Sequence, residues 1–138
     1  MKNKWKGWII DESLKDRTIL SQLKVIKIIR EENTEAGKKV IWDLYTVEID
    51  DENIEKTTSI LQEIVKPDYY MHFTNGKELL ITFYKKSFRM AVEKVGKEKE
   101  VGITSFKIKS SDKKIWHDAV AYGTKTASVD PCYLIKVE

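Results

Sequence analysis

The sequence predicts an α+β domain, a two-layer ferredoxin-like βαββαβ sandwich with extra N-terminal strands. Three observations lead to this prediction: several apolar runs typical of strands, two amphipathic stretches with helical periodicity, and a strong hairpin signal at Asn75-Gly76. With 138 residues the chain has the length of one domain, so residues 1–138 are treated as a single domain.

Three runs rich in β-branched and aromatic residues predict the first strands. Lys4–Asp11 and Leu23–Arg30 supply the extra N-terminal strands, and Val40–Ile49 is the first strand of the βαββαβ order. Between the first two runs we expect a short helix over Leu14–Leu20. The polar stretch Glu31–Lys39 is expected to form a turn.

Two helices complete the pattern. Residues Glu52–Val65 place their apolar side chains at the i, i+3, i+4, i+7 spacing of an amphipathic helix, and Pro67 ends it. Asp50 and Asp51 are the expected N-cap groups, which favour the positive end of the helix dipole. A second helix is expected over Lys113–Thr126.

The segment from Pro67 to Phe88 predicts two strands joined by a two-residue type I′ turn, because Asn and Gly both tolerate positive φ. The expected pairs are Thr74–Lys77, Phe73–Glu78, His72–Leu79, Met71–Leu80 and Tyr70–Ile81. Both faces of this hairpin then carry large apolar side chains, so both must be covered. Helices would cover one face, and the N-terminal segment, a second subunit or a ligand would cover the other.

We therefore predict a homodimer whose contact includes hairpin side chains, with Trp5 or Trp8 at its rim.

The remaining segments are less regular. Lys94–Glu100 is expected to be a charged loop, Val101–Lys109 a strand pairing back on the sheet, and Cys132–Val137 the last strand. Residues Lys94–Lys109 are called the insert below.

Charge is distributed unevenly, although the net charge is only +3. Residues 43–63 hold seven acids and one lysine, whereas residues 85–114 hold ten bases and four acids. Only three of the 25 bases are arginine, the residue that nucleic-acid recognition favours, so a nucleic-acid partner is disfavoured. A weak nucleic-acid-binding module using the basic 85–114 region remains an alternative function.

Several classes of protein are disfavoured by composition. No run approaches the ~18 apolar residues of a membrane span, and the first residues lack the apolar core of a signal peptide. Cys132 is the only cysteine, so an intrachain disulfide and a cysteine zinc site are not expected. We expect a cytoplasmic protein with no membrane association.

Four segments resemble, in the right order, a family of small uncharacterised prokaryotic proteins. They are GWIIDESLKD at 7–16, LYTVEI at 44–49, KPDYYMHFTNGKELLITF at 66–83 and WHDAVAYG at 116–123. The family shows a GWI-E-SL opening, a KPGWYAHF-NG hairpin and a late helix ending in EYG. Asp68 stands where the family has glycine, and the ending VDPCYLIKV departs from its usual tail. The resemblance implies no activity and no site residues.

Candidate site residues are few. Tyr70 and His72 share one face of the predicted hairpin, and with Trp42 they could line a ligand-binding cleft. The alternative interpretation of His72, which we favour, is a histidine bonded to a neighbouring strand. His117 is expected on the exposed surface of the last helix. The sequence contains no metal-binding, phosphate-loop or nucleophile-elbow pattern, so no metal or cofactor is expected.

Three functions are compatible with the sequence. The first is a non-catalytic domain that binds a small molecule or a protein and acts as an oligomer. The second is a small enzyme with a sheet-face cleft that uses Tyr70 and His72. The third is the nucleic-acid-binding module.

Overall fold

Strands dominate the computed structural model, which describes residues 4–99, 102–131 and 134–137. The strands are β1 (Lys4–Ile10), β2 (Lys24–Glu35), β3 (Lys38–Asp50), β4 (Met71–Thr74), β5 (Glu78–Phe83), β6 (Lys86–Val95), β7 (Glu98–Lys99), β8 (Gly102–Ile103), β9 (Ser105–Ile108) and β10 (Lys136–Val137). The α-helices are α1 (Ile54–Ile64) and α2 (Lys113–Lys125). Short 3₁₀ segments lie at Asp11–Ser13, Arg17–Gln22, Asp51–Asn53 and Ser110–Asp112.

Eight of the described strands form one sheet in the order β10-β9-β6-β5-β4-β1-β3-β2, and β7 pairs separately with β8. Neighbours are antiparallel except for β9 and β10, which are parallel. The predicted α+β class is therefore confirmed. The finer prediction of a ferredoxin-like sandwich is not confirmed, because the sheet has more strands than that fold and a different order.

The N-terminal strand β1 occupies the middle of the sheet, between β3 and β4. Because it is antiparallel to both, β3 and β4 run parallel, and α1 connects them across β1. A ferredoxin-like sheet would instead have the second strand of the hairpin between these two strands. The burial of β1 explains the difference: Trp5 and Ile9 are buried on one face and Trp8 on the other, which suits only a central strand.

Each face of the sheet is covered by its own helix, so the expected two-layer arrangement is replaced by three layers. Alternation along β5 sends Ile81 to one face and Leu80 to the other. Ile81 packs in the same cluster as Ala119 of α2, whereas Leu80 packs with Leu61 of α1. The chain therefore covers both faces of the hairpin, and the reason for expecting a dimer through it disappears.

The predicted hairpin is confirmed, but its register is wrong by two residues. Thr74 pairs with Leu79, and Phe73 pairs with Leu80. The Asn75 side chain accepts hydrogen bonds from the backbone N–H groups of Lys77 and Glu78 at 2.9 and 2.8 Å, which stabilises a longer loop. Among the two turn residues only Gly76 has positive φ, so the turn is not type I′. A slip of two residues leaves every side chain on its predicted face.

The remaining predictions are confirmed to different degrees. Both helices lie within two residues of their predicted bounds, whereas the expected helix over Leu14–Leu20 is a 3₁₀ segment at Arg17–Gln22. The expected N-cap groups of α1 make no capping bond; Asp51 instead accepts a hydrogen bond from the indole N–H of Trp5 at 2.8 Å. The expected final strand is observed only at Lys136–Val137, and the predicted part at residues 132–133 lies outside the described chain.

Candidate functional site

The outermost strands β2 and β3 form a two-stranded unit, called the outer ribbon below. β1 pairs with β3 only over Leu44–Asp50, whereas β2 accompanies β3 along its whole length to the pair Glu35–Lys38. In the described sheet, residues 30–43 therefore have a strand neighbour on one side only. A ribbon of two strands is marginally stable without further contacts.

Exposed apolar side chains are concentrated on the outer ribbon. Four large apolar residues of the described chain are exposed, and three of them belong to the ribbon: Ile26 (44%), Ile28 (56%) and Ile41 (44%). The fourth is Ile60 on α1. Single exposed apolar residues are ordinary, but a concentration of them on one element marks a contact surface.

The register explains why these isoleucines remain uncovered. A β-bulge between Val25 and Lys27 leaves Ile26 without a partner in β3. Ile28 and Ile41 lie on the same face of the ribbon, on either side of the cross-strand pair Arg30–Asp43. The sequence carried a signal for this surface, since the run at 23–30 mixes lysine and isoleucine on both faces. The sequence analysis predicted the strand but did not recognise the surface.

Most charges of the ribbon are paired across its two strands. Arg30 Nε donates to Asp43 Oδ1 at 2.9 Å, and a second bond joins Arg30 Nη2 to Asp43 Oδ2 at 3.2 Å. Lys39 Nζ lies 3.1 Å from Glu32 Oε2. Glu48 Oε1 accepts from both Lys4 and Lys24, at 3.0 and 3.1 Å.

Hydrogen bonding sets the protonation of these carboxyl groups. The bond from Arg30 holds the pKa of Asp43 below its ordinary value, against a smaller opposing effect of desolvation. The bond from Lys4, followed by that from Lys24, likewise lowers the pKa of Glu48. The two carboxylates are therefore ionised at neutral pH and hold the ribbon through ion pairs.

Trp42 lies on the outer ribbon, half-buried and opposite Glu31 in the register. It was predicted to share a cleft with Tyr70 and His72. Those residues belong to β4 and the segment before it, and β1 separates β4 from β3. One strand thus separates Trp42 from these residues, and Trp42 contributes to the ribbon surface.

His72 is buried in the centre of the sheet beneath the insert. Its ring stacks on Trp8 with centroids 5.1 Å apart and meets the edge of Phe106 at 6.1 Å. Its Nε2 accepts the backbone N–H of Ile103 at 3.3 Å, so in the neutral ring Nδ1 carries the proton. A Cβ placed on Gly102 would lie 2.6 Å from the ring, so the insert covers the histidine closely. Burial lowers the pKa of His72 to about 4.

Tyr70 lies on the same face as His72, as the sequence analysis predicted, and packs against the α2-side core. Its ring contacts Phe83 with centroids 5.9 Å apart. Burial raises the pKa of the Tyr70 hydroxyl well above its ordinary value, and a hydrogen bond with the Ile135 backbone opposes the rise. Both side chains are neutral at pH 7 and are covered by the chain itself, an arrangement that supports packing better than proton transfer.

The basic stretch at 85–114 is partly neutralised by neighbouring acids. Lys107 lies 3.5 Å from Glu93, and Glu98 of the insert pairs with Lys6 of β1 at 2.9 Å. Lys94 and Lys107 face each other across β6 and β9 and line an open groove of about 360 Å³. A second groove of about 330 Å³ lies beside Ile60 and Lys24. Both volumes are at the lower end of the ~300–1,000 Å³ range of ligand sites.

Within the described ranges, no group of three or more His, Cys, Asp or Glu side chains is placed to hold a metal ion. No helix in this part of the chain is long and apolar enough to cross a membrane. No protein-family model, curated protein or solved structure matches the sequence or the fold.

Proposed function

We propose that this protein is a non-catalytic protein-binding domain that acts as a homo-oligomer in the cytoplasm, and that the outer ribbon is its contact surface. The observation that carries the proposal is the concentration of exposed isoleucines at 26, 28 and 41 on one two-stranded element. A two-stranded element is only marginally stable alone, and it becomes more stable when a partner buries its apolar side chains.

The surroundings of the candidate catalytic residues also favour protein binding over catalysis. Of the expected acid–base pair, His72 is buried beneath the insert, and Tyr70 is half-buried against the α2-side core. The ribbon, by contrast, presents its apolar and charged side chains to solvent. A single cysteine, Cys132, leaves no intrachain disulfide to form, which suits a reducing compartment and supports the cytoplasmic part of the proposal.

Sedimentation equilibrium over a micromolar concentration series tests the proposal. We expect the wild-type chain of 16.1 kDa to self-associate. The double variant Ile28→Lys, Ile41→Lys should weaken the association by at least about tenfold, because a lysine cannot replace the apolar area that the partner buries.

Ile60→Lys is the control, since it makes the same type of substitution at an exposed isoleucine of α1. Association that is weakened equally by the ribbon variant and by Ile60→Lys would place the contact at the groove beside α1 and contradict the proposal. A wild-type mass that stays at 16.1 kDa, the mass of one chain, throughout the series would contradict its oligomeric part.

A further inference from the structure

β2 is an edge strand of unusual length. It is the last strand in the sheet order, pairs only with β3, and spans 12 residues, about twice the usual strand length. An edge strand presents a row of backbone N–H and C=O groups that can pair with another strand, and proteins normally shorten or protect such edges. Here the only irregularity in the pairing of β2 is the bulge near Val25, at its start.

Two charges of β2 lack an ion-pair partner within the described residues. Lys24, Arg30 and Glu32 all pair with side chains of β3. Lys27 and Glu31 do not, although the first is exposed and the second half-buried. The register places both on the same face of the strand, opposite Thr46 and Trp42, with Ile29 midway between them.

This spacing is self-complementary under a two-fold axis. If two copies of β2 pair antiparallel with Ile29 opposite Ile29, each Lys27 stands directly opposite Glu31 of the second copy. The contact therefore forms two opposite-charge pairs around a central apolar pair, and directly opposite residues are the ones that interact across strands. On the other face, each exposed Ile28 stands opposite Arg30, whose aliphatic stem can cover it.

We propose that the partner of the outer ribbon is a second copy of this chain, joined through antiparallel pairing of the two β2 strands about a two-fold axis at Ile29. This inference rests on the proposed function and names the partner and geometry of the same surface. The two eight-stranded sheets then form one continuous sheet. Closed two-fold dimers are the commonest assembly of like chains, and strand addition to an edge is an established mode of recognition.

Charge reversal with rescue is the experiment that tests this geometry. Lys27→Glu alone places two glutamates opposite each other at both ends of the contact, and Glu31→Lys alone does the same with lysines. We expect each single variant to dimerise about tenfold more weakly than the wild type. An equimolar mixture of the two variants should form a heterodimer in which both opposite-charge pairs are restored, with an affinity within about threefold of the wild type.

Lys24→Glu with Glu48→Lys is a matched control pair, because it reverses an ion pair within one copy. Mixing those two variants should give no rescue. Rescue by the 27/31 mixture alone supports the antiparallel contact at Ile29. Absence of rescue overturns it, as does dimerisation unchanged by either single variant.

The two proposals can fail separately. If the Ile28→Lys, Ile41→Lys variant is monomeric but the charge-reversed mixture shows no rescue, the ribbon is the contact surface and the geometry about Ile29 is wrong. If the wild type is a monomer throughout the concentration series, both proposals fail. Lys27 then serves to prevent the edge strand from pairing with other strands.

Discussion

Strands β5 and β2 have similar apolar patterns and opposite environments. Both carry large apolar side chains on both faces. In β5 these side chains are covered by α2 on one face and by α1 on the other, so that Ile81 and Leu80 are both buried. In β2 the bulged Ile26 and the neighbouring Ile28 remain exposed. A strand with apolar side chains on both faces is thus covered by its own chain in the centre of the sheet and remains partly exposed at the edge.

The largest expected effect comes from making the same substitution in both strands. Ile81→Ala removes a fully buried side chain and should lower the free energy of unfolding by about 2–5 kcal/mol. Ile28→Ala removes a side chain that is 56% exposed and should change it by no more than about 0.5 kcal/mol in the monomer. Urea denaturation at low protein concentration measures both. Equal losses would mean that the ribbon is as well covered as the centre of the sheet.

The helices and the face on which a side chain lies could be predicted from the sequence, whereas the strand order could not. Helical periodicity located α1 and α2, and alternation placed Tyr70 and His72 on the same face. These signals depend on residues close in the chain. The position of β1 between β3 and β4 depends on pairing across more than 60 residues, for which KWKGWII carries no local sign. Trp42 lies on β3, which β1 separates from β4, so its position relative to Tyr70 and His72 depends on the same long-range pairing.

The sequence also could not predict that the insert covers His72. The insert at 94–109 was predicted as a charged loop followed by a strand. That strand is observed as β9, which pairs with β6, and the preceding Gly102 and Ile103 fold over the Trp8 and His72 rings. The approach requires a residue without a side chain at 102, where φ is +113°. A glycine within a charged stretch indicates a turn, but it does not reveal which distant ring the turn will cover.

The buried centre of the sheet should also respond to pH. His72 has a pKa of about 4 in the folded chain against 6.5 ordinarily, because burial disfavours the charged ring. Between these values the unfolded chain binds a proton that the folded chain does not, so stability is complete above pH 6.5 and falls as the pH drops toward 4. The loss should approach roughly 3 kcal/mol, at about 1.4 kcal/mol for each pH unit.

Urea denaturation at pH 7, 5.5 and about 4 measures this loss. The His72→Gln variant is the control, since its amide can still accept the Ile103 N–H and has no proton to gain. Its stability should fall much less over the same interval. Parallel curves for the two proteins would show that other groups, and not His72, are responsible for the pH dependence.

The smallest expected effect lies at the tip of the outer ribbon. Ala36 and Gly37 form the two-residue connection between Glu35 and Lys38, and both have positive φ, at 51° and 78°. This is the type I′ geometry that the sequence analysis assigned to Asn75-Gly76. Alanine is poorly suited to it, because its Cβ crowds the neighbouring carbonyl oxygen at positive φ.

Ala36→Asn supplies the residue that this turn favours, so we expect it to stabilise the ribbon by up to about 1 kcal/mol. We expect the ribbon to open without unfolding the rest of the sheet, so the gain should slow amide hydrogen exchange in β2 and β3 near the turn and leave that of β5 unchanged. Gly37→Ala, which has open space around it but the same positive φ, should have the opposite effect. Exchange that changes equally in β5 and the ribbon would show that the two regions unfold together, and that the edge is not the separate element on which the proposed contact depends.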